Sequence, residues 1–388
     1  MIEHCSVCNS KIRTVYSQKN EDILGMAHDY TQHIGICEKC GFIFTQNPFD
    51  DEKLAKRYKN ESKFEYDSSK YILDERSEYA RRCIVQKEFI DRSIEGKYES
   101  VVEVGAASGY NLSLYKGKKL LGIEPSTINC KLAKVTYGLD MFNGTYQEYF
   151  DKAVTEKYDL VFLSMTLEHI VDPYNFLLKL KRINSKYVFI EVPTLDIKYI
   201  NEPFGLFCEE HVNYFTLEGL NSIMTAVGYG LVDAQLQYGF EKRLPAGWPA
   251  IDTVWELGRK SLNMKPIFSS VELLDKYIQI NQEELENISR KIDAIPDNEK
   301  LAIWGTGHHV SMLLANTSLS KKNIIKFYDS DVRKHKYTMH GKTISAFDTG
   351  DIHEGVVEGI LLGTYVFQNQ LEKIVRPYSE QCNIYKLY

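Results

Sequence analysis

The stretch Val101–Gly109, which reads VVEVGAASG, decides the fold that the sequence predicts. Its apolar first half is typical of a buried strand, and an acid and two glycines follow. A second apolar run, Leu120–Ile123, ends on Glu124. In a βαβ unit, a glycine turn lets the backbone approach a ligand closely, and a carboxylate after the next strand accepts hydrogen bonds from ribose hydroxyls. The pattern therefore predicts a doubly wound α/β domain that binds a ribose-containing ligand at this turn, with an ordinary glycine turn of another α/β protein as the less favoured alternative.

Length and composition limit the classes of protein that need to be considered. The chain has 388 residues, enough for two or three domains, and its 44% hydrophobic and 26% charged residues are ordinary for a globular protein. A net charge of −6 argues against a broad basic surface for nucleic acid. The N-terminus does not resemble a targeting signal, and no apolar run reaches the roughly 18 residues of a membrane span. We therefore expect a cytoplasmic protein whose eight cysteines are metal ligands or buried thiols.

Two C-x-x-C pairs lie near the N-terminus, Cys5 with Cys8 and Cys37 with Cys40. Four thiolates in this pairing suit tetrahedral zinc with no open coordination position. We therefore expect a structural zinc ion, with a redox pair as the less favoured alternative. The segment 42–44 is predicted to be the strand that leaves the second pair.

Strand and helix signals alternate through the centre of the chain, as a doubly wound sheet requires. Further buried strands are expected at 158–163 and 187–192, and helices at 170–183 and 217–227. A preceding amphipathic helix is predicted to end near residue 96.

A second α/β unit is expected beyond about residue 240. It contains a predicted helix over 271–292, the strand and turn of Leu301–His309, and a strand that ends at Asp329. The turn at 305–307 is half of a dinucleotide-binding pattern, so it either seats a phosphate or serves as a scaffold turn. Asp329 would contact a ribose or cap a turn. The fold class is thus α/β with a small zinc-ribbon module and two Rossmann-like domains, whose predicted ranges are 1–62, 63–240 and 241–388.

Two loops place a histidine beside an acid. One is Met165–Ile170, which contains His169, and the other is Phe207–Phe215, which contains Glu210 and His211. A histidine tuned by a carboxylate accepts a proton near neutral pH. A solvated loop whose histidine caps backbone groups is the alternative for either loop alone, and Glu209, in preference to Glu210, is expected to lie on the surface.

The pattern E-x-G-x-x-x-G around Gly105 resembles the S-adenosylmethionine (SAM) loop of class I methyltransferases. In addition, a four-cysteine module, a His-Ile-x-Asp-Pro loop at His169, a Glu-His-x-x-Tyr-Phe loop at Glu210 and a Trp-Gly-x-Gly turn at Trp304 occur in this order. From about Cys5 to near the C-terminus, the chain resembles the sugar C-methyltransferases of deoxysugar biosynthesis.

This resemblance implies a SAM-dependent enzyme that methylates a keto sugar carried on a nucleoside diphosphate, which the C-terminal domain helps to hold. His211, oriented by Glu210, would remove a proton beside the ketone, and His169, Tyr66 or Tyr214 would donate to the enolate oxygen. No nucleic acid or membrane partner is expected, and the protein would be a monomer or a homodimer. SAM would be held by Glu103, Gly105, Ala106, Gly109, Glu124 and Pro125.

The sequence departs from the family at two places. Cys208 stands where the family has a tyrosine, and the segment Tyr238–Arg243 lacks the usual His-Gly-Gly-Ser-Leu-Arg. These differences leave a hydroxyl oxygen open as the methyl acceptor in place of carbon. A zinc-ribbon nucleic-acid-binding regulator with a degenerate methyltransferase domain is a less favoured alternative, because Glu103, Gly105, Gly109 and Glu124 are intact.

Overall fold

The computed structural model describes residues 1–21, 30–48, 78–152, 155–196, 202–237, 249–260 and 269–388. Within these ranges the chain is an α/β protein with two compact units. Unit 1 comprises Met1–Arg13, Ile36–Ile197 and Glu210–Leu273, and unit 2 comprises Thr14–Gly35, Lys198–Glu209 and Leu274–Tyr388. Tyr66, the segment Tyr238–Arg243 and both predicted domain boundaries lie outside the described residues. The three domain ranges therefore stay predictions.

The N-terminal part of the chain forms short antiparallel strands. In unit 1, strand β3 pairs antiparallel with β9, with Ile43 opposite Tyr214. The predicted strand at 42–44 is confirmed, displaced by one residue. The strands are β1 (Arg13–Asn20), β2 (Tyr30–Ile36), β3 (Ile43–Thr45) and β9 (Asn213–Tyr214).

A seven-stranded sheet forms the centre of unit 1, in the order β10-β11-β8-β7-β4-β5-β6. The five strands β8, β7, β4, β5 and β6 run parallel to one another. Strand β11 runs antiparallel to β8, and β10 runs antiparallel to β11. The strands are β4 (Ser100–Val104), β5 (Lys119–Glu124), β6 (Met141–Asn143), β7 (Tyr158–Ser164), β8 (Asn184–Pro193), β10 (Tyr229–Gln237) and β11 (Ala250–Leu257).

Both faces of this sheet are covered, which explains the nearly continuous apolar runs that the sequence shows. On one face Val102 and Val161 belong to the same apolar cluster, and on the other Phe162 stacks on Phe189 with ring centroids 4.5 Å apart. Each side chain of this kind contributes roughly 1.5–3 kcal/mol when it is fully buried. The covering helices are α1 (Glu78–Ile94), α2 (Tyr110–Ser113), α3 (Thr127–Tyr137), α4 (Tyr146–Phe150), α5 (Pro173–Leu180) and α6 (Leu217–Ala226).

The helix predicted over 170–183 is shorter in the structure. Its first turn begins at Pro173 because the side chain of Asp172 accepts a hydrogen bond from the Asn175 amide and caps the helix. The helix predicted over 217–227 is confirmed to within one residue, and Gly228 follows it with a φ of +89°.

Unit 2 contains a mixed six-stranded sheet in the order β14-β15-β13-β12-β16-β17, in which only the β14–β15 pair is antiparallel. Ile303 and Leu361 lie in its fully buried core. The strands are β12 (Leu301–Trp304), β13 (Ile324–Tyr328), β14 (Thr338–Met339), β15 (Lys342–Ser345), β16 (Gly359–Leu362) and β17 (Asn383–Lys386). Helices α8 (His308–Asn316), α9 (Gly350–His353) and α10 (Gln368–Val375) complete it, after the long helix α7 (Ser270–Asp293). Among the described residues, no helix combines the length and the apolar character needed to cross a membrane.

Candidate active site

The carboxyl ends of β4, β5, β7 and β8 meet at one edge of the central sheet, and the glycine turn follows β4 there. Gly105 has a φ of +78°, and its amide donates a 2.9 Å hydrogen bond to the carbonyl of Ile123. A Cβ at this position would lie 2.8 Å from Oγ1 of Thr166. Only glycine fits here without displacing Thr166. Thr166 lies in the loop Met165–Ile170, but the sequence assigns it no role, since nothing in its local pattern marks it as a neighbour of the turn.

Glu124 is buried at the end of β5, and its side chain binds the backbone of the glycine turn. Its carboxylate accepts hydrogen bonds from the amides of Ala107, at 2.9 Å, and Ser126, at 2.8 Å. Burial raises the pKa of Glu124, against the lowering effect of these amides. A carboxylate has about four acceptor positions, so this one retains capacity for a ribose hydroxyl. Pro125 follows, and its carbonyl accepts a 3.1 Å hydrogen bond from Nδ2 of Asn143.

Glu103 is buried next to the turn. Its Oε1 accepts a 2.9 Å hydrogen bond from Nδ2 of Asn111, and its Oε2 has no hydrogen-bond partner among the described residues. Burial, with a further contribution from the charge of Glu124, raises the pKa of Glu103 to about 8. A cationic ligand beside this carboxyl would favour loss of its proton and pair with the resulting carboxylate.

The remaining predicted donor-binding residues complete the turn. The amide of Ala106 lies 3.3 Å from the carbonyl of Ile123, and the amide of Gly109 donates a 2.8 Å bond to the carbonyl of Ala106. Gly109 has a φ of +76°, and a Cβ there would lie 2.9 Å from that of Ala133. The roles of all six residues in SAM binding stay predictions.

In unit 1, the loop Met165–Ile170 lies beside Glu210–Phe215, the part of the second loop that carries His211. Nδ2 of Asn213 donates hydrogen bonds to the carbonyls of Leu167, at 3.1 Å, and Ile170, at 2.7 Å. The ring of His169 donates through Nδ1 to the carbonyl of Glu210, at 3.0 Å, because a carbonyl can only accept. These bonds bring the rings of His169 and His211 to a centroid separation of 5.0 Å.

Tyr214 fastens the second loop. Its hydroxyl donates a 2.7 Å hydrogen bond to the carbonyl of His211 and lies 3.0 Å from Oγ1 of Thr45. The hydroxyl hydrogen is therefore used within the loop in this conformation. Donation from Tyr214 to an enolate oxygen stays a prediction, and it would require this bond to break.

The carboxylate of Glu168 lies close to His169 and His211. Its side chain is 1% exposed, and one ligand atom each from Glu168, His169 and His211 lie within 4.8 Å of one another. Burial raises the pKa of Glu168 to about 7, and the charge of His211 opposes that rise. Glu168 belongs to the first histidine loop, but the sequence favours Glu210 for the orienting role. That role of Glu210 stays a prediction; its contribution visible here is the carbonyl that holds His169.

The four predicted metal ligands form a cluster in unit 1. Sγ of Cys5 lies 3.6 Å from that of Cys40, and Sγ of Cys8 lies 3.4 Å from that of Cys37. All four sulfur atoms lie within 4.8 Å of one another. Tetrahedral zinc with bonds of about 2.3 Å places sulfurs about 3.8 Å apart, so the cluster is consistent with zinc.

Asp329 supports the glycine turn of unit 2. Its Oδ2 accepts hydrogen bonds from the amide and hydroxyl of Thr306, at 3.0 and 2.7 Å, and from Lys334 Nζ, at 2.7 Å. Burial acts to raise the pKa of Asp329, but Lys334 and Thr306 outweigh it and hold that pKa below its usual value. Of the two predicted roles, these contacts match the capping of a turn.

Glu209 differs from the expectation that its sequence position suggests. It is 6% exposed instead of lying on the surface, and its Oε2 is 2.7 Å from Nδ1 of His308 within unit 2. Burial acts to lower the pKa of His308, and Glu209 outweighs that effect and raises it. An ion pair between residues 99 positions apart leaves no local signal in a sequence.

Comparison with known proteins supports the assignment of the central domain as a methyltransferase domain. Residues 69–234 match a family described as a methyltransferase domain. A search among curated proteins found no match. Two solved structures illustrate the likeness in fold, and both have low TM-scores. The methyltransferase domain of a bacterial CtHen1 protein is 15% identical over 46% of this chain and 99% of its own, with a TM-score of 0.35. A SAM-dependent methyltransferase from Archaeoglobus fulgidus is 16% identical over 45% of this chain and 94% of its own, with a TM-score of 0.34.

The family match covers the glycine turn, both carboxylates that flank it and the two histidine loops. The protein is therefore a class I SAM-dependent methyltransferase.

Proposed function

We propose that the protein transfers the SAM methyl group to a carbon atom of a keto sugar carried on a nucleoside diphosphate. The observation that carries the proposal is the grouping of Glu168, His169 and His211, with ligand atoms within 4.8 Å of one another, in the same unit as the glycine turn. A histidine with a carboxylate nearby is a suitable base at neutral pH. The order of sequence motifs supports the sugar as the acceptor.

The carbon beside a ketone becomes nucleophilic only when it loses a proton. In the proposed reaction His211 takes this proton, and the electron pair of the C–H bond forms an enolate. The enolate carbon then attacks the SAM methyl group, and the methyl–sulfur bond breaks to give S-adenosylhomocysteine. Because Nδ1 of His169 already donates to Glu210, this ring donates to the enolate oxygen through Nε2 when it is protonated. Oε1 of Glu168, 3.8 Å from Nε2, favours that cation.

The nearest alternative is transfer to a hydroxyl oxygen of the same class of substrate. In that case His211 would deprotonate a hydroxyl group, and no enolate would form. Cys208, where the family that the sequence resembles has tyrosine, favours keeping this alternative. The C-terminal domain, in either case, would help to hold the nucleotide.

The test is a panel of nucleoside-diphosphate sugars and keto sugars incubated with methyl-labelled ¹³C-SAM. The proposal expects a product whose NMR spectrum shows the label as a C-methyl group, whereas an O-methyl signal would establish the alternative. His211→Asn should lower turnover by roughly 10²–10⁴ and leave SAM affinity unchanged. Methyl transfer to none of the sugars, or full turnover in His211→Asn, would contradict the proposal.

A further inference from the structure

The group Glu168, His169 and His211 has the composition of a metal site as well as that of an acid–base site. Two imidazoles and one carboxylate are ligands that suit divalent ions of the first transition series, such as Zn²⁺, Co²⁺ and Ni²⁺. Mg²⁺ and Ca²⁺ prefer oxygen ligands, so they fit this set less well. The ion would be distinct from the one at the four cysteines, since no residue is shared between the two groups.

The distances are close to those that an ion requires. Around an ion with bonds of about 2.1 Å, neighbouring tetrahedral ligands are about 3.4 Å apart. Nε2 of His169 lies 3.8 Å from Oε1 of Glu168, and the three ligand atoms lie within 4.8 Å of one another. Side-chain movements of about 1 Å would therefore bring all three to a common ion.

An unpaired buried oxygen provides independent evidence. Oε2 of Glu168 has no hydrogen-bond partner among the described residues, although the side chain is only 1% exposed. A buried carboxylate of this kind is costly unless a cation or a proton compensates it. Arg82 does not supply that charge directly, because its Nε and Nη2 bind the buried Glu191, at 2.7 and 2.6 Å.

The orientation of His169 is also that of a ligand. Its Nδ1 donates to the carbonyl of Glu210, and this bond leaves Nε2 as the acceptor nitrogen of the neutral ring. Metal-binding histidines commonly have their second nitrogen fixed in this way. Nε2 is the atom that lies 3.8 Å from Glu168.

We propose that Glu168, His169 and His211 bind one divalent transition-metal ion. Only the effect of the ion on activity rests on the proposed function, because His211 cannot ligate an ion and accept a proton with the same lone pair. The metal-bound form is therefore inactive if His211 is the base.

The experiment uses the whole 388-residue chain with zinc bound at the four cysteines, and Co²⁺ alone is the probe. After a weak chelator has removed loosely held ions, Co²⁺ is titrated and followed by absorption and calorimetry. We expect one equivalent to bind, with absorption bands of nitrogen and oxygen ligation and without the intense thiolate charge-transfer band. Glu168→Gln and His169→Gln should each weaken Co²⁺ binding at least tenfold. Their matched controls, Glu156→Gln and His353→Gln at exposed positions, should bind as the wild type does.

Several outcomes would overturn the site: the absence of Co²⁺ binding, thiolate bands only, or wild-type affinity in His169→Gln. The last variant carries the test even if Glu168→Gln fails to fold, since His169 is partly exposed. Methyl transfer measured at each Co²⁺ occupancy separates this proposal from the proposed function. Transfer that falls as the ion binds supports both. Transfer that needs the ion supports the site and overturns His211 as the base, and Co²⁺ binding without transfer to any sugar nucleotide overturns only the proposed substrate.

Discussion

The amide of Ala107 donates a 2.9 Å hydrogen bond to Oε2 of Glu124. The acid that ends β5 therefore holds the glycine turn that follows β4, in addition to its predicted role with a ribose. Ala107 has a φ of +43°, which is uncommon for a residue with a Cβ, and this bond helps to maintain it. The shape of the turn thus depends on the same carboxylate that is predicted to bind the donor.

Glu124→Gln should weaken SAM binding by about 10- to 100-fold, because a charge-assisted hydrogen bond contributes about 1.5–3 kcal/mol. Isothermal titration calorimetry with SAM measures the effect. Glu156→Gln is the control, since the Glu156 side chain is 59% exposed and contacts Lys119 and Tyr158. Equal SAM affinity in Glu124→Gln and the wild type would exclude Glu124 from the donor site.

We expect Glu103 to release a proton when SAM binds. Because burial raises the pKa of Glu103 to about 8, most of these carboxyls are protonated at pH 7. The ammonium and sulfonium charges of SAM favour the carboxylate, so binding should release up to one proton and tighten as the pH rises towards 8. Calorimetry in two buffers of different ionisation enthalpy counts the protons. Glu103→Gln should release none, and release that survives this substitution would assign the proton to another group.

The raised pKa of Glu103 also makes the SAM-free protein less stable as the pH rises. The folded state binds the Glu103 proton more tightly than the unfolded state does, so this group stabilises the fold fully below about pH 4.5. Its contribution is lost as the pH rises towards 8. Thermal unfolding across this range should show a smaller decline in Glu103→Gln than in the wild type, and an unchanged decline would contradict the assignment.

The four-cysteine cluster predicts one tightly held zinc ion per chain. Cys8→Ser should lose this ion and lower the unfolding temperature by several degrees, because binding of a structural metal contributes directly to folding. Elemental analysis measures the zinc content, and thermal unfolding measures the unfolding temperature. Cys382→Ser, at a buried cysteine that is not one of the four ligands, should keep the ion. A zinc content that does not change in Cys8→Ser would rule out the cluster as the zinc site.

We expect substitution of Asp329 to lower the stability of the protein without weakening SAM binding. Asp329→Ala removes the acceptor of Thr306 and Lys334, and it should destabilise unit 2 by about 1.5–3 kcal/mol. Since the folded pKa of Asp329 lies below its usual value, its contribution is present near neutral pH and is lost in acid. Chemical denaturation at pH 7 and SAM calorimetry should give a reduced midpoint and an unchanged SAM affinity. A weakened SAM affinity would show that Asp329 acts beyond the turn.

The parts of the fold that local patterns determine could be predicted from the sequence. Val101–Val104 is recognisable as a strand because the sheet covers it on both faces, and every residue of β4 is buried. Gly105 is recognisable as a turn because few other residues adopt a φ of +78°. The four cysteines are recognisable as a cluster because two C-x-x-C pairs are typical of a tetrahedral zinc site.

The parts that depend on contacts between distant residues could not be predicted. Glu210 is next to His211 in sequence, so the local pattern favours it as the orienting acid. The carboxylate of Glu168, 43 positions before His211, is close to it because the amide of Val212 bonds to the carbonyl of Glu168. In the same way Glu209 is buried because His308 pairs with it. Such pairs are properties of the packed structure and carry no periodic signal.

The most direct test of the account is the affinity of Gly105→Ala for SAM. Alanine at a φ of +78° costs about 1–2 kcal/mol, and its Cβ would lie 2.8 Å from Thr166. Gly138→Ala is the matched control, because Gly138 has a φ of +72° and nothing within 4 Å of the added Cβ. Calorimetry should show one SAM per chain for the wild type and for Gly138→Ala, and at least tenfold weaker binding for Gly105→Ala. A wild-type protein that does not bind SAM, or a Gly105→Ala variant that binds it as tightly, would contradict the claim that this turn holds the methyl donor.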